Sequence, residues 1–133
     1  MNNNSEIERP SLSIDGMTFS NLDEFYDEVS DKLIPNANWG RNLDAFDNIL
    51  RGGFGTPSEG FVLVWKNSEL SRERLGYPET IRQLEKKNLS SHPSHLSSLE
   101  KEIEKAKNGD GSTVFDWLVE IIKSHETIDI IFE

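Results

Sequence analysis

The sequence predicts an α/β fold in which a small three-stranded parallel sheet packs with helices. Three segments have the composition of strands, residues 11–15, 61–65 and 127–132. The intervals between them carry apolar residues at helical spacing, and no short hairpin joins any two of the strands. Because parallel strands need long crossover connections, this order predicts parallel pairing with helices as the crossovers.

Each predicted strand has its own pattern. The first, SLSID, alternates apolar and polar residues before the turn signal Asp15-Gly16. The second, FVLVW from Phe61 to Trp65, is continuously apolar, which is typical of a strand covered on both faces. The last, TIDIIF, places Ile128, Ile130 and Phe132 on one side. All three segments are therefore expected to contribute to one sheet.

Two helices are predicted between the first two strands. Ser20, with acidic residues three and four positions later, is typical of a capping box at a helix start, and Pro35 predicts the end of that helix. The second helix follows Trp39 and ends at Gly52-Gly53. Its apolar residues form one stripe: Leu43, Phe46, Ile49 and Leu50.

The second half of the chain is predicted to be helical until its last strand. Pro78 is favourable at the first position of a helix. Residues 96–106 carry a thin apolar stripe on a highly charged segment, which predicts a peripheral helix. A loop follows, and a capping residue in it opens the last helix, whose apolar stripe runs over 114–122. The fold therefore has an extended helical segment, about 67–112, before its last helix.

Length and composition limit the possible functions. The 133 residues fit one domain, which we place at 11–133 after a disordered lead at 1–10. The net charge of −10 makes nucleic acid a poor direct partner because its phosphates would be repelled. The absence of cysteine excludes disulfides and thiolate metal sites. The start lacks a secretory pattern and no apolar run reaches membrane length, so we expect a cytoplasmic protein without a membrane partner.

Two aspartates on the second helix raise the question of function. At about 100° per residue, Asp44, Asp47, Asn48 and Arg51 lie beside the apolar stripe, away from the core. One interpretation is a solvated face on which Asp47 pairs with Arg51, a contact worth only ~0.2–0.5 kcal/mol. Another is a binding surface, because aspartate and asparagine are poor helix formers and the glycines after the helix expose backbone beside it.

Signals for catalysis, metals and cofactors are weak. His92 and His95 form an H-x-x-H pattern, but Pro93 interrupts a regular helix and no third ligand stands nearby. The glycines of RGGFGTPSEG follow a helix and precede a strand, the reverse of a phosphate-binding loop. We therefore expect no cofactor and no metal. A small hydrolase using Asp44 and Asp47 stays a minor alternative without a nucleophile-base pair to support it.

The segment WGRNLDAFDNIL, followed by a turn and FVLVW, resembles the barstar family of ribonuclease inhibitors. The resemblance extends to an N-terminal strand like SIDG, a first helix like NLDEFYDEV and a final strand like IDIIF. It covers residues 11–66 and 113–133. The interval 67–112 is longer than the family minimum and has the character of an insertion.

The resemblance implies a barstar-like fold and a non-enzymatic function. Members of this family place carboxylates in the cationic cleft of a small ribonuclease, where substrate phosphates would lie, and acidic charge also speeds the encounter. The expected partner is a basic small ribonuclease or a nuclease toxin, which makes the chain an immunity protein or antitoxin and a monomer when free. The alternative is a binding module of the same scaffold that binds a non-nuclease basic protein.

The resemblance also implies contact residues. Asp44 aligns with the first contact aspartate of the family's second helix, and Trp39-Gly40 aligns with its aromatic-glycine pair. Asn48 stands where the family has its second contact aspartate, the main phosphate mimic, while the acid of this chain lies one residue earlier at Asp47. Either Asp47 replaces that carboxylate on a rotated face, or the target differs.

Four further residues complete the predicted partner-binding set. Asn38 stands where the family often has a contacting tyrosine, and Phe54 in the following loop could replace that ring. Gly52 offers exposed backbone beside the same face. Glu120 aligns with the acidic contact on the family's last helix, although an ordinary solvent-facing glutamate is an equal interpretation.

Overall fold

The computed structural model describes residues 9–35, 37–52, 54–90 and 92–133, and these ranges form three strands and six helices. The strands are β1 (Ser11–Asp15), β2 (Phe61–Lys66) and β3 (Ile128–Phe132). The helices are α1 (Leu22–Lys32), α2 (Leu43–Leu50), α3 (Ser68–Arg74), α4 (Tyr77–Ser90), α5 (Leu96–Lys107) and α6 (Val114–Lys123).

The three strands form one sheet in the order β1-β2-β3, and both pairs are parallel. Trp65 in the central strand lies opposite Ile14 of β1 and opposite Phe132 of β3. The predicted α/β class with a three-stranded parallel sheet is therefore confirmed. Since consecutive strands are neighbours, right-handed crossovers place the connecting helices on the same side of the sheet.

The main core lies between one face of the sheet and helices α1, α2 and α6. In β2, Phe61, Leu63 and Trp65 are fully buried on this face, whereas Val62 and Val64 on the opposite face are only half-buried. The expectation that β2 is covered on both faces is thus met on one face only. The continuous apolar run does not distinguish these two cases, because valine is also favoured on a half-exposed sheet.

Helix starts are fixed by side-chain caps. The cap of α1 is Asn21, whose side chain accepts from the Glu24 N–H, so the predicted cap at Ser20 is wrong by one residue. The Glu24 carboxylate accepts instead from the Ser20 N–H at 2.7 Å. Asn42 caps α2, and Thr113 opens α6 through a capping box.

The segment 67–112 forms α3, α4 and α5. Helix α3 follows β2 almost directly, and the sequence patterns do not distinguish it as a separate helix. Helix α4 begins at Tyr77, one residue before the predicted start at Pro78. Helices α4 and α5 enclose a second small core, to which the Trp117 ring of α6 also packs. Its buried residues are Leu84, Leu99, Ile103 and Ala106.

Glu79 fixes α4 to the start of α1. Its side chain is only 6% exposed, and Oε2 accepts from the Leu22 N–H at 2.9 Å. Arg82 and Gln83 also donate to this carboxylate. Burial alone would raise the pKa of Glu79, but these hydrogen bonds outweigh burial and lower the pKa below its ordinary value. The carboxylate therefore stays ionised where it joins the helical segment to the main core.

The last two residues of the predicted lead, Arg9 and Pro10, contact the sheet. Residues 1–8 lie outside the described residues. The Arg9 guanidinium donates to the Thr127 carbonyl at 2.6 Å and pairs with Asp129, and the Pro10 carbonyl accepts from the Val62 N–H. The domain boundary at residue 11 stays a prediction.

None of the helices in the described ranges combines the length and the apolar character that crossing a membrane requires.

Candidate functional site

Helix α2 presents one buried face and one face with polar side chains. Phe46, Ile49 and Leu50 are buried against the main core. Asp44 and Asn48 are exposed, as the helical stripe predicts. Asp47 is only half-buried. The three polar side chains therefore differ in what they can offer to a partner.

Asp44 is an exposed carboxylate near the start of α2. It makes no hydrogen bond or ion pair with the described part of the chain. It lines a groove between α2 and the pair of helices α4 and α5, opposite Lys86 and Lys87 of α4 and Glu102 of α5. The carboxylate is therefore available to a cation from outside the chain.

Asp47 is engaged within the molecule. Its Oδ1 lies 2.7 Å from Nε2 of His125, which follows α6 and is 10% exposed at its side chain. Its Oδ2 accepts from the Arg51 guanidinium at 3.1 Å, so the predicted Asp47–Arg51 contact is present. Because both oxygens have partners, Asp47 is held toward the connection between α6 and β3.

Asn48 is bound to the same arginine. The Arg51 Nη1 donates to Asn48 Oδ1 at 2.8 Å. A guanidinium has donors only, so the amide oxygen of Asn48 must face Arg51. The amide N–H groups of Asn48 then remain for another acceptor.

The loop before α2 is fixed on α1. The Trp39 Nε1 donates to the Ser30 hydroxyl at 2.8 Å, and its ring meets the edge of the Tyr26 ring at 5.5 Å between centroids. Arg41 adopts a left-handed backbone conformation, with φ of 53°, and pairs with Asp27 of α1. These contacts place the predicted Trp39-Gly40 pair beside α2.

The loop after α2 is fixed on the helix end. Gly52 has φ of 95°, and a Cβ at this position would lie 2.8 Å from the Ser58 Cα, so the turn requires glycine. The Thr56 hydroxyl donates to the Ile49 carbonyl at 2.7 Å. Phe54 remains 45% exposed at the top of the loop. Gly53, between Gly52 and Phe54, lies outside the described residues.

A pocket of about 360 Å³ forms where these two loops meet α2. Its described lining residues include no charged side chain. They are Asn38, Trp39, Gly40, Ala45, Asn48, Ile49 and Phe54. Five of the nine predicted contact residues thus share one pocket, which we call the Asn48 pocket. Gly52 does not line it but lies two residues before Phe54 in the sequence.

Asp44, Asp47 and Glu120 do not line the Asn48 pocket. Glu120 is exposed on α6, where it lines a separate depression with Lys105, Asp110 and Trp117. Asp44 lines the groove that faces α4 and α5, whereas both oxygens of Asp47 are bound to His125 and Arg51. The contact roles of all nine residues stay predictions.

The short pattern His92-x-x-His95 forms a turn and not a helix. Residues Pro93–His95 make one 3₁₀ turn, and His92 caps it by accepting from the Ser94 N–H. Across the described ranges, no group of three or more histidine, aspartate or glutamate side chains is placed to hold a metal ion.

Sequence reasoning missed His125, the partner of Asp47. The two residues are 78 positions apart, and no local pattern connects them. It also missed the Arg51–Asn48 contact, although a spacing of three residues on a helix predicts such neighbours.

The chain is similar to known proteins over the part that contains these loops and α2. The family model described as Barstar (barnase inhibitor) matches residues 9–87, which include both loops, α2 and the Asn48 pocket. A Bacillus subtilis (strain 168) protein named "Putative ribonuclease inhibitor YrdF" is 41% identical over 65 residues, which cover 49% of this chain and 68% of that protein. The matched range ends within α4 and so extends beyond the predicted limit at residue 66. The chain belongs to the barstar family.

Proposed function

We propose that this protein is an intracellular inhibitor that blocks the cationic active-site cleft of a small ribonuclease or nuclease toxin domain. It does so with α2 and the two loops beside it, and it carries out no catalysis and needs no cofactor. We further propose that it acts in the bacterial cytoplasm, as an immunity protein or antitoxin, and is a monomer when free.

The observation that carries this proposal is the exposed Asp44 carboxylate, which has no partner in the described residues. Asp44 lies on the same helix as Asn48, one turn away, and the Trp39 and Phe54 rings line the pocket at Asn48. A carboxylate and aromatic rings on one helix face and its adjoining loops fit a cleft whose cations bind phosphates and whose walls contact bases.

The net charge of the chain supports the same partner. A protein with charge −10 attracts a basic enzyme over a distance of a Debye length and repels nucleic acid. The inhibitor would therefore compete with RNA for one cleft without binding RNA itself.

The test is inhibition by matched variants. Asp44→Ala should weaken inhibition of the target ribonuclease by about 30-fold or more, since truncation of one member of a desolvated charge pair typically costs ~2–5 kcal/mol. Glu104→Ala on α5 makes the same change of net charge and should alter inhibition by no more than a few-fold, because an exposed charge contributes up to ~1 kcal/mol. Equal inhibition by the parent and Asp44→Ala would contradict the contact role of Asp44.

One observation favours a second function, a binding module for a basic protein that is not a nuclease. The position that the resemblance aligns with the family's main phosphate mimic holds the neutral Asn48, and Asp47 is bound to His125. Affinity capture at low salt from cells that encode the chain distinguishes the two functions. Recovery of a ribonuclease that the chain inhibits supports the first, and recovery of basic proteins without nuclease activity supports the second.

A further inference from the structure

The described lining of the Asn48 pocket consists of apolar and neutral residues, and it offers the amide donors of Asn48 but no carboxylate. Among its described lining residues none is acidic, although the chain has 24 acidic residues. Asn48 Oδ1 accepts from Arg51, so the amide of Asn48 offers its two N–H donors to the surroundings.

Arg51 adds to the donors beside this pocket. Its side chain is mostly exposed and uses two N–H groups in contacts with Asn48 and Asp47. A guanidinium carries five N–H donors, so three remain for another acceptor. Charged donors prefer a charged acceptor such as a carboxylate.

The nearby carboxylate of Asp47 is not available to place a negative charge in the pocket. One of its oxygens is bound to His125 and the other to Arg51. A movement of Asp47 toward the pocket would break both contacts and leave the mostly buried His125 ring without this partner. The fold therefore keeps a neutral amide and a guanidinium at this point.

We propose that the Asn48 pocket, with Arg51 at its edge, receives a side-chain carboxylate of the protein partner. This inference rests on the proposed function, since that partner is the inhibited ribonuclease. Asp44 then contacts a cation of the enzyme, and the amide of Asn48 and the Arg51 guanidinium contact an acid one helical turn away. The Trp39 and Phe54 rings exclude water from the second contact.

A charge series at position 48 tests this inference. The variants are Asn48→Asp and Asn48→Lys, and the dissociation constant for the target ribonuclease is measured for both and for the parent. Ser97→Asp and Ser97→Lys, at an exposed position in the first turn of α5, make the same net charge changes away from α2 and serve as controls. Thermal unfolding of each variant shows that it is folded.

If a carboxylate enters the pocket, Asn48→Asp should weaken binding by about tenfold or more, because two like charges would be forced together. Asn48→Lys should bind at least as tightly as the parent. Its amine should also couple to the ribonuclease through a carbodiimide, which joins an amine to a carboxylate, whereas Ser97→Lys should not couple. Arg51→Gln should weaken binding, and Arg51→Lys should restore part of the loss.

The opposite order would overturn the inference. Tighter binding by Asn48→Asp, with weaker binding by Asn48→Lys, would mean that the pocket receives a cation. Unchanged binding by all variants of positions 48 and 51 would mean that the pocket is outside the interface. In either case, weaker binding of the ribonuclease by Asp44→Ala would still support the proposed function. If the parent protein inhibits no ribonuclease, the proposed function itself is wrong.

Discussion

The two aspartates of α2 should respond differently to truncation. Asp47→Ala removes the acceptor of His125 and of Arg51, whereas Asp44→Ala removes no contact within the described residues. We therefore expect Asp47→Ala to lower stability and Asp44→Ala to leave stability nearly unchanged. Asp47 supports the fold, and Asp44 is available for binding.

The contacts give the size of the difference. Loss of the partner of the mostly buried His125 ring costs ~1–3 kcal/mol. Loss of the exposed Arg51 pair costs a further ~0.2–0.5 kcal/mol, and the higher helix propensity of alanine offsets about 0.5 kcal/mol. The net loss for Asp47→Ala is about 2 kcal/mol, which corresponds to a decrease in Tm of roughly 6–10 °C for a chain of this size.

For Asp44→Ala the contributions nearly cancel. Asp44 lies in the first turn of α2, where its charge interacts favourably with the helix dipole by ~0.3–1 kcal/mol. The gain in helix propensity is of similar size, so the Tm should change by no more than about 2 °C.

Thermal and urea unfolding of the free protein measure both effects. Asp47→Asn is the matched control, because its amide oxygen can still accept from the His125 ring while the charge is removed. We expect Asp47→Asn to retain more stability than Asp47→Ala. Equal unfolding temperatures for Asp44→Ala and Asp47→Ala would refute the separation of the two roles.

Three further predictions concern association, the loop after α2 and pH. The association rate with a basic ribonuclease should fall markedly between about 0.01 and 0.15 M salt, because the Debye length decreases from ~30 to ~8 Å. Stopped-flow mixing measures this rate, and a rate independent of salt would contradict electrostatic steering. Gly52→Ala should lower the Tm more than Gly109→Ala. Both glycines have positive φ, but of these two only Gly52 would bring a Cβ against backbone atoms. Equal decreases in Tm would show that the strain of positive φ, and not the contact with Ser58, sets the cost. The folded-state pKa of Glu79 is below its ordinary value of about 4.5, so its ionised form stabilises the fold above that value and this contribution is lost as the pH falls further. Urea unfolding at several pH values should therefore show a smaller loss of stability below pH ~4.5 for Glu79→Gln than for the parent.

The sequence predicts those parts of the fold that local patterns encode. The alternation of SLSID and the continuous apolar run FVLVW identify β1 and β2, and the spacing of Phe46 and Leu50 identifies the buried face of α2. The cap of α1 is displaced by one residue because Ser20 and Asn21 are both capping residue types and both precede acids.

The candidate site depends on contacts that no local pattern contains. Helical stepping places Asp47 beside Asp44 on the outer face, but the chain after α6 covers Asp47 with His125. Arg51 sets the direction of the Asn48 amide, and the sequence does not show that the amide oxygen, and not its N–H groups, is the engaged atom. Sequence reasoning could therefore nominate candidate residues, but it could not show which of them are already bound within the molecule.

The way α2 is held has a consequence for specificity. The Trp39–Ser30 hydrogen bond holds Trp39 on α1, and the Thr56–Ile49 hydrogen bond holds Thr56 on α2, so these two residues are positioned before a partner binds. Preorganisation lowers the entropic cost of binding, and it also prevents the loops from adapting to a poorly matched enzyme. The exposed residue at position 48 contributes little to the core, and its replacement should change the choice of partner at a small cost in stability. Under the proposed function, we therefore expect exchange of an amide for a carboxylate at position 48 to change which ribonuclease is bound, while Asp44 and the buried face of α2 stay the same.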